Sequence, residues 1–331
     1  MDLTARLLRA AVRRPRVLVV PTVGGTASRL AVERELVRRG WPVASGPADA
    51  DVLAVAGSTG PAMAAVVRDV LARMPVPRAR ADVPSPAAAG QVLDAAARLL
   101  GDRDHQRRAG HDRPEPGEPG MADVGEDRDG LALDRLHVPL GPVLPDWPAG
   151  LVLRVRLHGD VVGDAAAELL DAGRGTAFWP ERDQPAAREL DALARFLGVA
   201  GWPAAAARAR RLRDELLAGT PAREIAGPAA VLLRRVRRSR TLRWSVRGTA
   251  AGQVDVATVL DRRVAAIGAA LGTVATTGDA APPVHRPAPA ELAGLVVGAE
   301  LAAARLVVAA LDPDTDGADV ADARDGEPPH G

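Results

Sequence analysis

Three groups of residues in the 331-residue chain have the types and spacing that chemistry needs. The first is Gly24, Gly25, Thr26 and Ser28. They follow the apolar run Val17–Val20 and precede a helical pattern that stops at Gly40. A strand, a glycine pair and a helix N-terminus present free backbone amides and the positive end of a helix dipole, which is the chemistry of an anion or phosphate cradle. The spacing matches neither the phosphate-loop pattern nor GxGxxG, and the two glycines equally serve a plain turn. The second group is the run LLRRVRRSRTLRWSVRG, where Arg234, Arg235, Arg237, Arg238, Arg240, Arg243 and Arg247 surround Trp244. Such a run suits RNA, acidic lipid or an acidic partner, and equally the solvated face of a helix. Alternation of Leu242, Trp244 and Val246 with Arg243, Ser245 and Arg247 reads as a half-buried strand. The basic contact patch expected from it is Arg234, Arg237, Arg238, Arg243 and Trp244.

The third group is the six histidines, and they do not assemble into a base or a metal site. His105 and His111 fall in a charged stretch, His285 in a Pro/Ala loop and His330 beside the last residue. His158, beside Gly159-Asp160, reads as a turn residue, and His137 as a satisfied strand histidine. Asp160 and Asp164 are close in sequence, but turns favour Asp for local hydrogen bonds. No catalytic residue is assigned. With no cysteine in the chain, disulfides, thiolate nucleophiles and thiolate-held zinc, iron–sulfur or nickel–iron centres are all removed. The expected cofactor set is none, with quinone contact through apolar residues as an alternative.

The elements that position these residues follow from periodicity. Arg16–Pro21 and Val52–Ala56 are buried apolar strands and a further short strand lies near Ala79–Val83, each followed by a helical pattern, and such alternation predicts a small parallel sheet with flanking helices, flavodoxin-like, over 1–101. Residues 102–130 are rich in Asp, Arg, Glu, Gly and Pro without apolar periodicity, and read as a disordered linker. Beyond it, Gly141, Pro142, Pro145, Pro148 and Gly150 exclude helix. Leu151, Leu153, Val155 and Leu157 then alternate with Val152, Arg154, Arg156 and His158, and Gly159-Asp160 turns the chain into Val161-Val162, a β-hairpin. Helical patterns at 186–197, 203–217, after Thr220-Pro221 and at 256–271 complete a mainly helical second domain over 131–311, with Leu292–Leu311 read as one buried helix. Residues 312–331 read as a disordered acidic tail. The chain as a whole is α/β with two domains.

Lys+Arg 43 against Asp+Glu 42 leaves a net charge of +1, so no global field draws the protein to nucleic acid. Leu3–Arg14 is a basic amphipathic helix suited to a surface or to acidic headgroups. No secretory signal is evident, and a cytoplasmic address, with at most peripheral membrane contact, is the default expectation.

Two stretches resemble a known family. The run Asp49–Arg78, through Gly57, Met63, Met74-Pro75 and Pro77-Arg78, is similar to the small iron–sulfur subunit of respiratory complex I and of membrane-bound nickel–iron hydrogenases. Val83-Pro84-Ser85-Pro86 is similar to a later element of that subunit. The stretch from Asp129 to Val162, through Gly141-Pro142, Pro145 and Gly150-Leu151-Val152-Leu153-Arg154, resembles the N-terminal hairpin of the large subunit of the same enzymes. The resemblance implies both folds fused in one chain. It also implies that the working groups are gone: Val23-Gly24-Gly25-Thr26 and Ser85 stand where cluster cysteines belong, and Leu144 and Ala149 where quinone-facing histidines belong. Asp171-Ala172-Gly173-Arg174-Gly175 replaces an HRG loop, and no tyrosine exists. What remains is a docking hairpin of Gly141, Pro142, Pro145, Trp147, Gly150 and Arg154. The function implied is a non-catalytic interaction or assembly protein whose partners are other subunits of a complex I-like oxidoreductase. The alternative is a quinone- or nucleotide-binding subunit with its pocket between the domains.

Overall fold

The computed structural model describes residues 13–111, 123–126, 132–179, 184–251, 254–272 and 285–317. The amphipathic segment Leu3–Arg14, the middle of the expected linker and most of the acidic tail lie largely outside them.

The first half is an α/β layer. Strands β1 (Val17–Pro21), β2 (Val52–Ala56) and β3 (Ala79–Val83) pair in parallel in that order. Every residue of β2 is buried, as a central strand covered on both faces requires. Helix α1 (Thr26–Arg39) follows β1 and ends on Gly40 in the left-handed region, which carries the stop read from sequence. Helix α2 (Pro61–Arg73) begins on a proline whose missing amide costs nothing in a first turn. Helix α3 (Ala89–Gly101) follows β3. One sheet face packs against α1 and α3 through Val32, Leu36, Leu93 and Leu100, and the other against α2 through Met63 and Val67.

The expected linker begins as structure. Helix α4 (Arg103–His111) packs back on the sheet domain. Gln106, which no hydrophobic count selects, is buried there; it accepts from the Arg78 amide (2.9 Å) and donates to the Arg78 and Leu99 carbonyls (3.0 and 2.8 Å). One satisfied polar side chain thus anchors a helix whose other residues are nearly all polar. His105 and His111 sit on this helix. Residues 123–126 then form β4 (Asp123–Glu126), which pairs with β5 (Ala132–Leu140). The hairpin is therefore part of a four-stranded antiparallel sheet, β4-β5-β6-β7, with β6 (Leu151–His158) and β7 (Val161–Leu169) as its last pair.

The inward face of β6 (Leu151, Leu153, Val155, Leu157) meets a helical layer of α5 (Pro185–Val199), α6 (Pro203–Leu217), α7 (Ala222–Arg238), α8 (Arg240–Ser245) and α9 (Val256–Ala270). Two readings of the sequence are corrected here. The stretch around Trp244 is helix α8 rather than a strand: Ser239 Oγ accepts from the Leu242 amide and starts a turn, leaving Leu242 and Val246 buried and Trp244 75% exposed. Leu292–Leu311 is two helices, α10 (Leu292–Val296) and α11 (Leu301–Leu311). They are separated where Gly298, at φ +84°, lets the chain turn so that its amide and the Ala299 carbonyl pair with Val162. Among the described residues no helix is long and apolar enough to cross a membrane.

Candidate functional site: the junction between the halves

Open parallel sheets place ligands at the carboxyl ends of their strands, where helix N-termini point. In this chain that edge is covered by its own second half. Gly24, the first residue of the cradle, donates its amide to Asp316 Oδ1 at 2.9 Å, across 292 positions of sequence. Thr26 also hydrogen-bonds the Asp316 side chain. The neighbouring helix is treated in the same way: the Ala62 and Met63 amides donate to Asp171 Oδ1 and Oδ2 at 3.2 and 2.9 Å. Neither α1 nor α2 has a side-chain cap from its own preceding residue. The first-turn amides of α2 are met instead by a carboxylate from beyond residue 170, and a second such carboxylate holds the Gly24 amide just ahead of α1.

The glycines are explained by approach distance. Gly24 has φ +72°, and a Cβ on it would fall 2.5 Å from Gly175 Cα, while one on Gly175 would fall 2.4 Å from Gly24 Cα. Backbone meets backbone there. A Cβ on Gly25 would fall 2.1 Å from the Ala56 carbonyl oxygen, so this residue serves β1–β2 packing. Thr26 and Ser28 are both buried. The four cradle residues thus lie together against protein, with one carboxylate bonded to Gly24 and Thr26. Burial pushes the Asp316 carboxyl up, aided by neighbouring Asp314 and opposed by its bonds to Thr26 and Gly24. The expected disordered tail therefore starts with an ordered stretch: Asp312, Thr315 and Asp316 are all buried.

The docking-hairpin residues divide. Trp147 is buried and donates its indole N–H to the Leu151 carbonyl at 2.8 Å. Gly141, at φ +91°, has no room for a Cβ beside that ring, which would be 2.3 Å from Nε1. Gly150, at φ +68°, faces Val23 of the first half at 2.7 Å from a built Cβ. Val143, beside the buried Pro142, packs on the core under α2, and Pro145 lines a cleft between the halves. Arg154 is elsewhere: it points outward from β6 and pairs with Glu168 on β7 at 2.8 Å.

Above the apolar contacts runs a buried ion network that sequence reading missed. From α1, Arg29 meets Asp191 on α5 (Nη2–Oδ2 2.7 Å) and its own Glu33 (2.8 Å). Arg213 on α6, with its side chain fully enclosed, reaches Asp191 at 2.5 Å, Glu33 at 2.8 Å and Asp214 at 2.8 Å. Arg210 pairs with Asp146. Arg195 joins Asp191 (3.5 Å) to Asp312 (2.5 Å). Arg286 continues to Glu189 (2.6 Å) and Asp312 (3.3 Å), and Arg263 donates to the Ala310 carbonyl at 2.7 Å. Six cations (Arg29, Arg195, Arg210, Arg213, Arg263, Arg286) face six carboxylates (Glu33, Asp146, Glu189, Asp191, Asp214, Asp312). This balance leaves no net charge that a ligand must neutralise. Burial alone would raise the Glu33 carboxyl, but Arg29, Arg213 and Arg210 overcome it and hold the group at about 2. Asp191 is held still further below the ordinary range; burial opposes this, and Arg29, Arg195 and Arg213 prevail.

A cleft of about 150 Å³ lies between the halves, with Leu36, Trp41, Val43, Pro145 and Trp147 on its apolar side and Arg29, Arg195 and Arg210 on its charged side. The basic patch lies away from it. Arg234, Arg237, Arg238 and Arg243 do converge on one groove of about 540 Å³. The histidines stay apart, His285 reaching only Glu291 at 3.9 Å, and among the described residues no three His, Asp or Glu side chains are grouped to hold a metal. Comparison with models of protein families, with characterised proteins and with solved structures finds no match for this chain.

Proposed function

We propose that this is a non-catalytic interaction or assembly protein, a fused, cofactor-free relative of the small and large subunits of complex I-like oxidoreductases, acting in the cytoplasm or at the membrane's cytoplasmic face. One observation supports the non-catalytic part most: the edge of the parallel sheet where a ligand belongs is taken by Asp316 and Asp171 of the same chain. An interface of this kind holds two domains at a fixed angle and leaves their outer faces to partners. The oxidoreductase kinship is carried by the residues from Asp49 to Arg78 and from Gly141 to Arg154. Co-purification tests it: tagged protein taken from its host in mild detergent recovers an oxidoreductase subunit, and recovery of none overturns the partnership.

The interdomain cleft favours a second reading, a quinone-binding subunit. At about 150 Å³ the cleft has the volume of one six-membered ring. It is below the roughly 300–1,000 Å³ of pockets for larger ligands, which disfavours a nucleotide. Saturable quenching of Trp147 and Trp41 fluorescence by a short-chain quinone, lost in Pro145→Trp, is the result this reading requires; linear, unsaturable quenching removes it.

A further inference from the structure

The helical layer has a groove of about 540 Å³ between α7, α8 and α9, lined by none of the junction residues. Its floor is apolar, from Ala230, Leu233 and Val264, and its rim is cationic, from Arg234, Arg237, Arg238 and Arg243. At the junction six arginines are spent on carboxylates, three of them buried. Here the arginines differ: among the described residues Arg234, Arg237 and Arg238 are exposed and have no carboxylate partner. Arg243 is the exception, held by Asp261 at 2.7 Å and by the Arg237 carbonyl at 3.0 Å, which fixes it at the groove's end. Two apolar side chains stand out in solvent beside the rim. Val231, 57% exposed, shares a helix stripe with Arg234 and Arg238 at i, i+3 and i+7, and Trp244, 75% exposed, follows Arg243.

We propose that this groove docks an acidic amphipathic segment of a partner protein, whose apolar side chains enter the floor and whose carboxylates meet the rim. Charge complementarity selects this occupant, because the three free guanidiniums at i, i+3 and i+4 match carboxylates repeated along one face of a helix. Arginine also takes carboxylates bidentately. RNA is disfavoured, since single strands need successive aromatic platforms and Trp244 stands alone here. A bilayer surface is disfavoured because the apolar part is the floor of a groove, which a flat surface does not reach. The inference deepens the reading of the chain as an interaction protein, but it does not depend on kinship with oxidoreductases.

The test uses the full chain and a fluorescein-labelled synthetic helix bearing leucines on one stripe and glutamates flanking it. Anisotropy is expected to show saturable binding that weakens at least tenfold in R234E/R238E and weakens again as salt is raised to about 0.5 M. Both arginines are exposed, so the variant folds, and matching circular dichroism checks it. W244A is expected to weaken the complex without changing its salt dependence. The proposal is overturned if the peptide does not bind, if R234E/R238E binds it as wild type does, or if polyuridylate or phosphatidylserine vesicles bind more tightly at the same salt. Groove binding with no oxidoreductase subunit recovered from the host would overturn the oxidoreductase partnership alone.

Discussion

Asp191→Asn is the sharpest perturbation of the junction. The side chain is 1% exposed and accepts from Arg29 at 2.7 and 3.1 Å and from Arg213 at 2.5 Å, with Arg195 at 3.5 Å. The amide keeps the volume and one acceptor oxygen, so packing is preserved while the charge is lost. Two guanidiniums, themselves almost fully enclosed, then have only Glu33 in common. Removing one partner of a buried pair costs roughly 3–5 kcal/mol, because the remaining charge stays buried without compensation. The cost falls on the contact between α1 and α5, and hence on the coupling of the halves. Wild type is expected to unfold in urea as one transition, and Asp191→Asn as two, the α/β half and the helical half separating. Arg29→Met/Asp191→Leu, which removes charge from both sides, is expected to recover more than half of the loss. A single transition displaced by less than about 0.5 kcal/mol, the size of an ordinary surface substitution, would refute the claim that this network joins the halves.

Three other outcomes follow from the same geometry. Gly175→Ala, with its Cβ 2.4 Å from Gly24 Cα, forces two backbones apart and is expected to destabilise by more than the roughly 1–3 kcal/mol typical of overpacking; a thermal shift within error of wild type would contradict the close approach. Asp171→Ala leaves the Ala62 and Met63 amides without their cap and is expected to cost about 1 kcal/mol, read by urea midpoint, with Asp171→Asn recovering part of it. Acid is expected to loosen the junction through Glu33: its folded value of about 2 lies below the ordinary 4.5. Its contribution, roughly 3 kcal/mol, is therefore complete above about pH 4.5 and is lost as pH falls toward 2. Stability measured from pH 6 to pH 2 checks this, and Glu33→Gln should flatten that part of the profile.

Strands β1 and β2 were legible because each is a short apolar run closed by Gly or Pro, and β3 because Ala79, Ala81 and Val83 alternate with Arg80 and Asp82. Helix α1 was legible through Gly40. What sequence concealed is polar and long-range. Gln106 fixes α4 by bonds to Arg78, 28 positions away, so a window of charged residues read as linker. Asp171 caps α2 from 108 or more positions away and Asp316 holds the Gly24 amide from 292, pairings that no local pattern encodes. One signal was present for the network: α5 runs ELDALARFL with Glu189 and Asp191 among residues that are mostly apolar, and α6 places Arg213 beside Leu212. Carboxylates and a guanidinium on the buried faces of two neighbouring helices are rare unless paired. Trp244 misled because alternation over five residues fits a strand and a single helical turn alike.

The cradle after β1 shows how the same residues serve a different end. Glycines followed by Thr26 at a helix start do gather an anion, and the anion is a carboxylate supplied by the chain. Burial and Asp314 push the Asp316 carboxyl up, against the bonds from Thr26 and Gly24. The tight constraint at this edge is steric instead: Gly24 on Gly175, Gly150 on Val23 and Gly60 on Asp171 each leave no room for a methyl group. A junction set by such contacts tolerates little relative motion. The freedom to engage a partner then belongs to surfaces away from it, among them the groove rimmed by the unpaired arginines of α7.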